Sequence, residues 1–322
     1  MNTGISFIVI GKNEGWKISK CLDSIYSCIE KNRISNYEII YVDSQSNDDS
    51  IERVKKYKEV KIYSIINKTN AAIARNIGAK ESLKDVLFFI DGDMEIIAET
   101  VGILYNNKYG LLNNFTSGDF ENQYYSKNGK FINRRLHYNL QENIYETTTG
   151  GLFLITRKLW NHIGGMKCHF RISEDWDLGL RMAFQDNRLY RVKEVLAFHH
   201  TESYNSKDRF WADVLKGDFL YYKALLYRSH IHNKYMYRLL IREVTLFSLL
   251  GFVFLAIYLK NPYYLCLYFF IILVKTFYKK NKIDANMVSL YFRYIVFDLG
   301  TLLAFFFFWP KVFDKLEYER IN

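Results

Sequence analysis

The stretch Phe88–Ile96, FFIDGDMEI, ends an apolar run in two aspartates held one glycine apart. Asp and Gly are the residues of a reversing strand, so Asp91, Gly92 and Asp93 read first as a turn. Two carboxylates at the end of a buried strand also suit a divalent cation, because hard cations take oxygen ligands and Mg²⁺ commonly binds one or two carboxylates together with substrate phosphates. The local sequence leaves both readings open. Two other segments carry reactive side chains. ISEDWDLGLRMAFQ places Glu174, Asp175 and Asp177 at the start of a helical pattern that Ser173 is placed to cap, and LYRVKEVLAFHH ends in His199 and His200. Alternate residues of a strand face opposite ways, so at most one of these histidines reaches a given ligand.

Something must bring these groups together. Apolar runs of strand length begin at Ile5, Tyr37, Val60 and Asp85, and segments of helical period separate them. In the first of these, Ile18, Cys21, Leu22, Ile25 and Ile29 share one face, as expected of a helix packed on a sheet. The rhythm predicts an α/β domain with a mostly parallel sheet covered by helices on both faces. Ligands of such sheets bind beyond the carboxyl ends of the strands. Asp43 ends one run and the Asp91/Asp93 pair ends another, so both belong to one rim.

Beyond residue 100 the pattern weakens. The polar stretch NNFTSGDFENQYYSKNGKF reads as surface loops or an edge hairpin. Order returns at TTTGGLFLITRKLWNHIGG, Thr147–Gly165, as a strand opened by glycine and a short helix closed by two glycines.

The chain has 322 residues, 49% of them hydrophobic and 17% aromatic, with a net charge of +10. That is ample for a sizeable core and excludes a disordered chain. Four cysteines without a CxxC pair or zinc-type spacing imply neither a disulfide framework nor a structural zinc, so a reducing compartment is expected. The N-terminal apolar run has no basic leader and ends in charge, unlike a signal peptide. Between Asn205 and Arg242 eight Lys/Arg face three Asp, interleaved with Trp211, Phe219, Tyr221, Tyr222 and Tyr227. This composition fits an amphipathic belt on anionic headgroups better than nucleic acid, for which no RRM, helix-turn-helix or finger signature is present.

From about Leu239 the character changes. Val244–Leu259 and Tyr263–Val274 are uncharged and flank the turn KNP, and Tyr294–Trp309 follows with Asp298 inside it. Runs of nearly 16 residues give helices of roughly 24 Å, slightly short of a bilayer core of roughly 30 Å. Flanking aromatics and snorkelling basic residues make up the difference. The expected organisation is a catalytic domain over 1–204, a basic interfacial region over 205–238 and a membrane region over 239–322, with a hairpin at 240–278 and a third segment at 288–309. Basic residues at both ends of the hairpin put the catalytic part on the cytoplasmic side by the positive-inside rule.

Taken in order, the motifs resemble those of the family 2 glycosyltransferases, nucleotide-sugar-dependent enzymes of the GT-A fold. IVIGKNE resembles the opening strand and Asn-Glu loop, YVDSQSNDDS the Asp-containing nucleotide turn, and NAAIARNIGA the Ala-Arg-Asn-x-Gly helix. FFIDGDME resembles the metal-binding Asp-x-Asp, and SEDWDLGLR the segment holding the catalytic base. The resemblance runs from Ile5 to Thr201. Gln45 departs from it, standing where the nucleotide turn usually has glycine.

The resemblance implies a Rossmann-like catalytic domain that uses Mn²⁺ or Mg²⁺ and a nucleoside-diphosphate sugar. Asp93 would bind the cation directly, Asp91 through water or the ribose hydroxyls, and His199 would complete the metal site. Glu14, Asp43, Arg75, Asp91, Gly92, Gly150 and Gly151 would line the donor pocket. Asp43 is suited to a base ring N–H and Arg75 to phosphate or a base edge. Asp175 would be the general base, with Glu174 the neighbour able to exchange roles with it, while Asp177 and Arg181 form an i,i+4 ion pair. The expected reaction is inverting transfer to a lipid-linked saccharide or glycolipid at the cytoplasmic membrane face. Two alternatives are an inactive nucleotide-binding scaffold, which would not need Asp91, Asp93, Glu174 and Asp175 together, and a processive synthase, which usually carries a Gln-x-x-Arg-Trp segment. A nucleotidylyltransferase would need a Gly-rich phosphate loop that IGKNEG matches poorly.

Overall fold

The computed structural model describes residues 4–106, 110–126, 128–202, 218–280, 286–312 and 315–322. Two compact units result, Met1–Ser203 with Val312–Asn322, and Tyr204–Lys311.

The first unit opens with β1 (Ile5–Gly11), α1 (Trp16–Lys31), β2 (Tyr37–Asp43), α2 (Ser50–Val54), β3 (Val60–Ile65), α3 (Ala71–Glu81) and β4 (Val86–Asp91). All seven residues of β1 are buried, as a strand covered on both faces requires. The expected face of α1, including Ile18, Leu22 and Ile25, lies in the core, and Asn70 caps α3 by accepting from the Ile73 N–H. Strands β3, β2, β1 and β4 pair in parallel, in that order. The α/β expectation holds, with its parallel block in these four strands.

The remaining elements are β5 (Met94–Ile96), α4 (Thr100–Leu104), β6 (Tyr105–Asn106), β7 (Gly110–Leu111), β8 (Phe115–Tyr125), β9 (Phe131–Leu136), β10 (Ile144–Glu146), β11 (Leu152–Thr156), α5 (Arg157–Ile163), α6 (Glu174–Phe184) and β12 (Leu189–Glu202). They make the sheet mixed. Strand β11 runs antiparallel to β4, β8 antiparallel to β11, and β12 parallel to β8. The polar stretch expected as loops or an edge hairpin does start a hairpin, β8 with β9, but β8 is an interior strand between β12 and β11, and its partner β9 is exposed. Its polar residues misled because they are buried and satisfied internally. Thr116 donates to the Tyr190 carbonyl, and Asp119 accepts from the amides of Phe120 and Tyr138. The two glycines ending α5 adopt left-handed φ values of 75° and 65°, as a helix stop demands.

The last strand, β13 (Tyr318–Arg320), pairs antiparallel with β3 at the sheet edge. This corrects the assignment of 239–322 as one membrane region, since its final residues join the sheet. Asn322 reinforces the pairing by accepting from the Ile62 amide and donating to the Val60 carbonyl.

The second unit is helical: Asp218–Ser229, Tyr237–Leu240, Val244–Tyr258, Leu265–Lys280 and Met287–Phe307, with a 3₁₀ turn at Pro262–Tyr264. Asn261 and Pro262 make the KNP turn, the asparagine side chain accepting from the Tyr263 amide. Asp298 does not stand alone among apolar neighbours, because it accepts from Thr245 Oγ1 and the Tyr268 hydroxyl. Among the described residues one helix, Met287–Phe307, is long and apolar enough to cross a membrane, and Val244–Tyr258 is shorter. Of the expected basic belt, Lys207, Arg209, Trp211 and Lys216 lie outside the described residues. Two others turn inward: Lys223 pairs with Glu243 at 2.7 Å, and Arg228 donates to the carbonyls of Phe305 and Phe308.

Candidate active site

The carboxyl ends of β1, β2 and β4 meet at one rim. There the loop after β1 is locked to the loop after β2: the Asn13 amide donates to Ser46 Oγ, and those of Glu14 and Gly15 donate to Ser50 Oγ. Gln45 holds a left-handed φ of 62°. Its side chain compensates for the strain by donating to the carbonyls of Ile66 and Asn67, which explains why this turn does without glycine. Asp43 is wholly buried, with Oδ1 accepting from the Tyr41 hydroxyl and Oδ2 from the Ser46 amide. Both carboxylate oxygens of Asp43 are thus engaged inside the protein.

Asp91 and Asp93 stand at the end of β4. The chain turns between them, with the Gly92 amide donating to the Ile10 carbonyl at 2.7 Å. His199 Nε2 lies 3.1 Å from Asp93 Oδ2, and His199 Nδ1 lies 2.7 Å from Asn122 Oδ1. With an oxygen opposite each nitrogen, both N–H groups of a protonated imidazole find an acceptor here. Burial opposes that charge, but the Asp93 contact outweighs it and the His199 pKa is raised. Burial likewise pushes Asp93 up, and the His199 hydrogen bond overcomes it and lowers its pKa. His200 faces away, bonded to Glu95 and Tyr125, so of the two histidines His199 is the one that meets Asp93.

Arg75 joins the two halves of the site. It is buried, with Nη2 2.7 Å from Asp91 Oδ1 and Nη1 3.3 Å from Glu174 Oε1. Glu174 begins α6 next to Asp175, whose Oδ2 accepts from Thr148 Oγ1 at 2.8 Å. Asp177 makes the expected ion pair with Arg181 at 2.8 Å. Ser173, expected as a side-chain cap, makes no cap hydrogen bond; it sits at φ 69° and offers its carbonyl to the Asp177 amide instead. Gly151 approaches so closely that a Cβ there would lie 2.1 Å from Asp91 Oδ2, and Gly150 is left-handed at φ 68°.

A cavity of about 360 Å³ opens over this rim, lined by Lys12, Glu14, Asp91, Asp93 and Arg171 among others. Lys12, Lys17, Asn122, Thr148 and Arg171 escaped the sequence reading, and only Lys17, three residues after Glu14 in a helix start, had a spacing that could have exposed it. Lys17 Nζ is 2.6 Å from Glu14 Oε2 and 3.9 Å from Asp93 Oδ2. A larger cavity of about 760 Å³ beside Trp160, Cys168 and Leu316 touches none of the carboxylates.

Burial and then Asp175 push Glu174 to about 7, and burial and then Asp93 push Glu14 to about 7. Each folded carboxyl therefore holds its proton more tightly than the unfolded chain does. The stability so gained is complete below the ordinary value near 4.5 and lost as pH rises to about 7. Glu174→Gln should flatten the fall in thermal midpoint between pH 5 and 8, leaving the shares of Glu14 and of the other raised groups, Asp91 and His199. An unchanged slope would show that Glu174 is ionised throughout.

The model for Glycosyl transferase family 2 matches residues 6–193. The chain belongs to glycosyltransferase family 2. This family 2 glycosyltransferase is similar to the poly(ribitol-phosphate) β-N-acetylglucosaminyltransferase TarP of Staphylococcus aureus, at 32% identity over 114 residues. That match covers 34% of each chain, so the chain spans about a third of the length of the curated relative. The crystal structure of S. aureus TarS shares the fold at a TM-score of 0.52 and 18% identity, covering 71% of this chain and 40% of that one. TarS 1–349 in complex with UDP gives a TM-score of 0.50 at 18% identity, covering 69% and 64%.

Proposed function

We propose that this glycosyltransferase moves a sugar, with inversion, from a nucleoside-diphosphate donor to a saccharide acceptor carried on a lipid at the cytoplasmic face of a membrane. One observation carries the reading: Arg75 ties donor-side Asp91 to Glu174, so the Asp-x-Asp turn and the Glu174-Asp175 pair are parts of one site.

In the proposed reaction an acceptor hydroxyl oxygen attacks the anomeric carbon as the bond to the diphosphate breaks, and the bonding pair leaves with the diphosphate. Asp175 takes the acceptor's proton. General base help of this type gives about 10²–10⁴ in rate. Lys12 and Arg171, basic side chains on the cavity wall, are placed to meet the diphosphate. Among the described residues no group of three or more His, Cys, Asp or Glu could hold a metal ion. Asp93 Oδ2 and His199 Nε2, 3.1 Å apart, are nevertheless an oxygen and a nitrogen donor of the kinds such a cation takes. These two residues would hold Mn²⁺ or Mg²⁺, with His199 giving up its Nε2 proton and Asn122 keeping the ring oriented. The cation supplies charge neutralisation for the departing diphosphate.

The membrane reading is supported by Met287–Phe307 and by exposed Phe254, Phe270, Leu303, Phe306 and Phe307. The N-acetylglucosaminyl group in the name of TarP and the UDP bound in TarS 1–349 make UDP-N-acetylglucosamine the first donor to try. Detergent-purified protein with Mn²⁺ should release nucleoside diphosphate from one member of a panel of UDP-, GDP- and dTDP-sugars, and Asp93→Ala should stop it. Failure of every donor both to turn over and to bind with Mn²⁺ would leave the inactive scaffold as the better reading.

A further inference from the structure

The segment Thr147–Gly151, TTTGG, touches both ends of the site. At one end the Asp91 amide donates to the Gly151 carbonyl at 3.1 Å. At the other Thr148 Oγ1 donates to Asp175 Oδ2 at 2.8 Å. Between these contacts the segment is clamped from two sides.

On one side stands Arg191, with no exposed surface. Its Nη2 donates to the carbonyls of Thr148 at 3.0 Å and Thr149 at 3.4 Å. Its Nε donates to Glu146 Oε2 at 2.7 Å, and Nη1 to Ser117 Oγ and the Gly118 carbonyl, both at 3.0 Å. The guanidinium lies 3.9 Å from the centre of the Tyr138 ring. On the other side is α6, where a Cβ at Gly179 would fall 2.2 Å from the Thr147 carbonyl oxygen. Gly179 is four residues after Asp175 and shares its helix face. The face that carries Asp175 is thus pressed against the backbone that carries Thr148.

We propose that Thr148 is the positioning residue for Asp175, with Arg191 as the anchor of the segment that presents it; this rests on the reading of Asp175 as the base. A carboxylate turning freely about its last torsion offers either oxygen to the acceptor. With Oδ2 engaged by Thr148, Oδ1 is the oxygen that receives the proton, and it is held at a fixed angle to the approaching hydroxyl.

The test uses the full chain, with UDP-N-acetylglucosamine as donor and water as acceptor. Thr148→Val should lower kcat by about tenfold to hundredfold, the scale of a misplaced catalytic group, with donor KM unchanged. Thr148→Ser, which keeps the hydroxyl, should restore most of the rate. A merely structural threonine would show neither the split between kcat and KM nor the rescue. Loss of rate in Asp175→Asn beside a native rate in Thr148→Val would overturn the assignment of Thr148 and leave the base standing. Native rates in both would refute the base itself. Where turnover is too slow to measure, a crystal structure of Thr148→Val decides. An Asp175 carboxylate turned from its native orientation supports the assignment, and one that superposes on the native overturns it.

Discussion

Asp175→Asn is expected to lower kcat by about 10²–10⁴ while leaving donor affinity near the native value. Asparagine fills the same space and still accepts the Thr148 hydrogen bond at its amide oxygen, so the fold of the segment survives. What it cannot do is take a proton. The substitution therefore separates the proton acceptor from the shape of the site, which removal of the side chain would not. Glu174 provides the internal control. Its carboxyl is engaged by Arg75 at 3.3 Å and protonated through much of the range below pH 7 by burial and then by Asp175. Committed to Arg75, it is less free than Asp175 to meet the acceptor hydroxyl. Should Glu174→Gln lose the larger share of kcat, the two carboxylates have the opposite assignment.

The largest effect on stability is expected at Arg75. Its guanidinium is the charge shared by Asp91 and Glu174, and it lies in the interior of α3 with its side chain only 3% exposed. Removing it as Arg75→Met keeps the length and apolar stem but leaves two carboxyls facing each other across the vacated place. Breaking a buried pair from one side costs about 3–5 kcal/mol, and here both carboxyls lose their partner. The thermal midpoint should drop by roughly 10 °C at neutral pH. The deficit should shrink toward pH 5, where Glu174, pushed to about 7 by burial and then by Asp175, takes up its proton. Arg75→Lys retains a charge but cannot fork to both partners and should fall between the two. Equal midpoints for the native and Met proteins would mean that the carboxyls are neutral in the native fold.

The first half of the site was legible because its residues sit at the ends of strands whose apolar runs announce themselves. Asp91 and Asp93 follow VLFFI, Asp43 follows YEIIYV, and a parallel sheet puts such ends on one rim. Asp175 needed the family pattern, since a carboxylate at a helix start has an ordinary explanation. Asn122 and Thr148 had no local signal at all. Each acts through a partner 77 or 27 positions away, and those pairings exist only once β8 and the Thr147–Gly151 segment are placed. Strand β8 was itself hidden, because between its buried Phe115 and Phe120 stand buried Thr116, Ser117 and Asp119, which break the alternation that marks a half-buried strand. Arg191 went unnoticed for the same reason: a buried arginine reveals itself only through the carbonyls and the carboxylate that satisfy it.

The antiparallel pairing of β13 with β3 has a topological consequence for the apolar unit. The chain leaves the catalytic fold after Ser203 and rejoins it from Val312 onward, so both connections emerge from one folded body in one compartment. Any passage of Tyr204–Lys311 through a bilayer must then be made an even number of times. Three apolar segments cannot all cross. If Met287–Phe307 spans, one other segment returns the chain and the remaining one lies along the surface, and the parity is enforced by a strand three residues long.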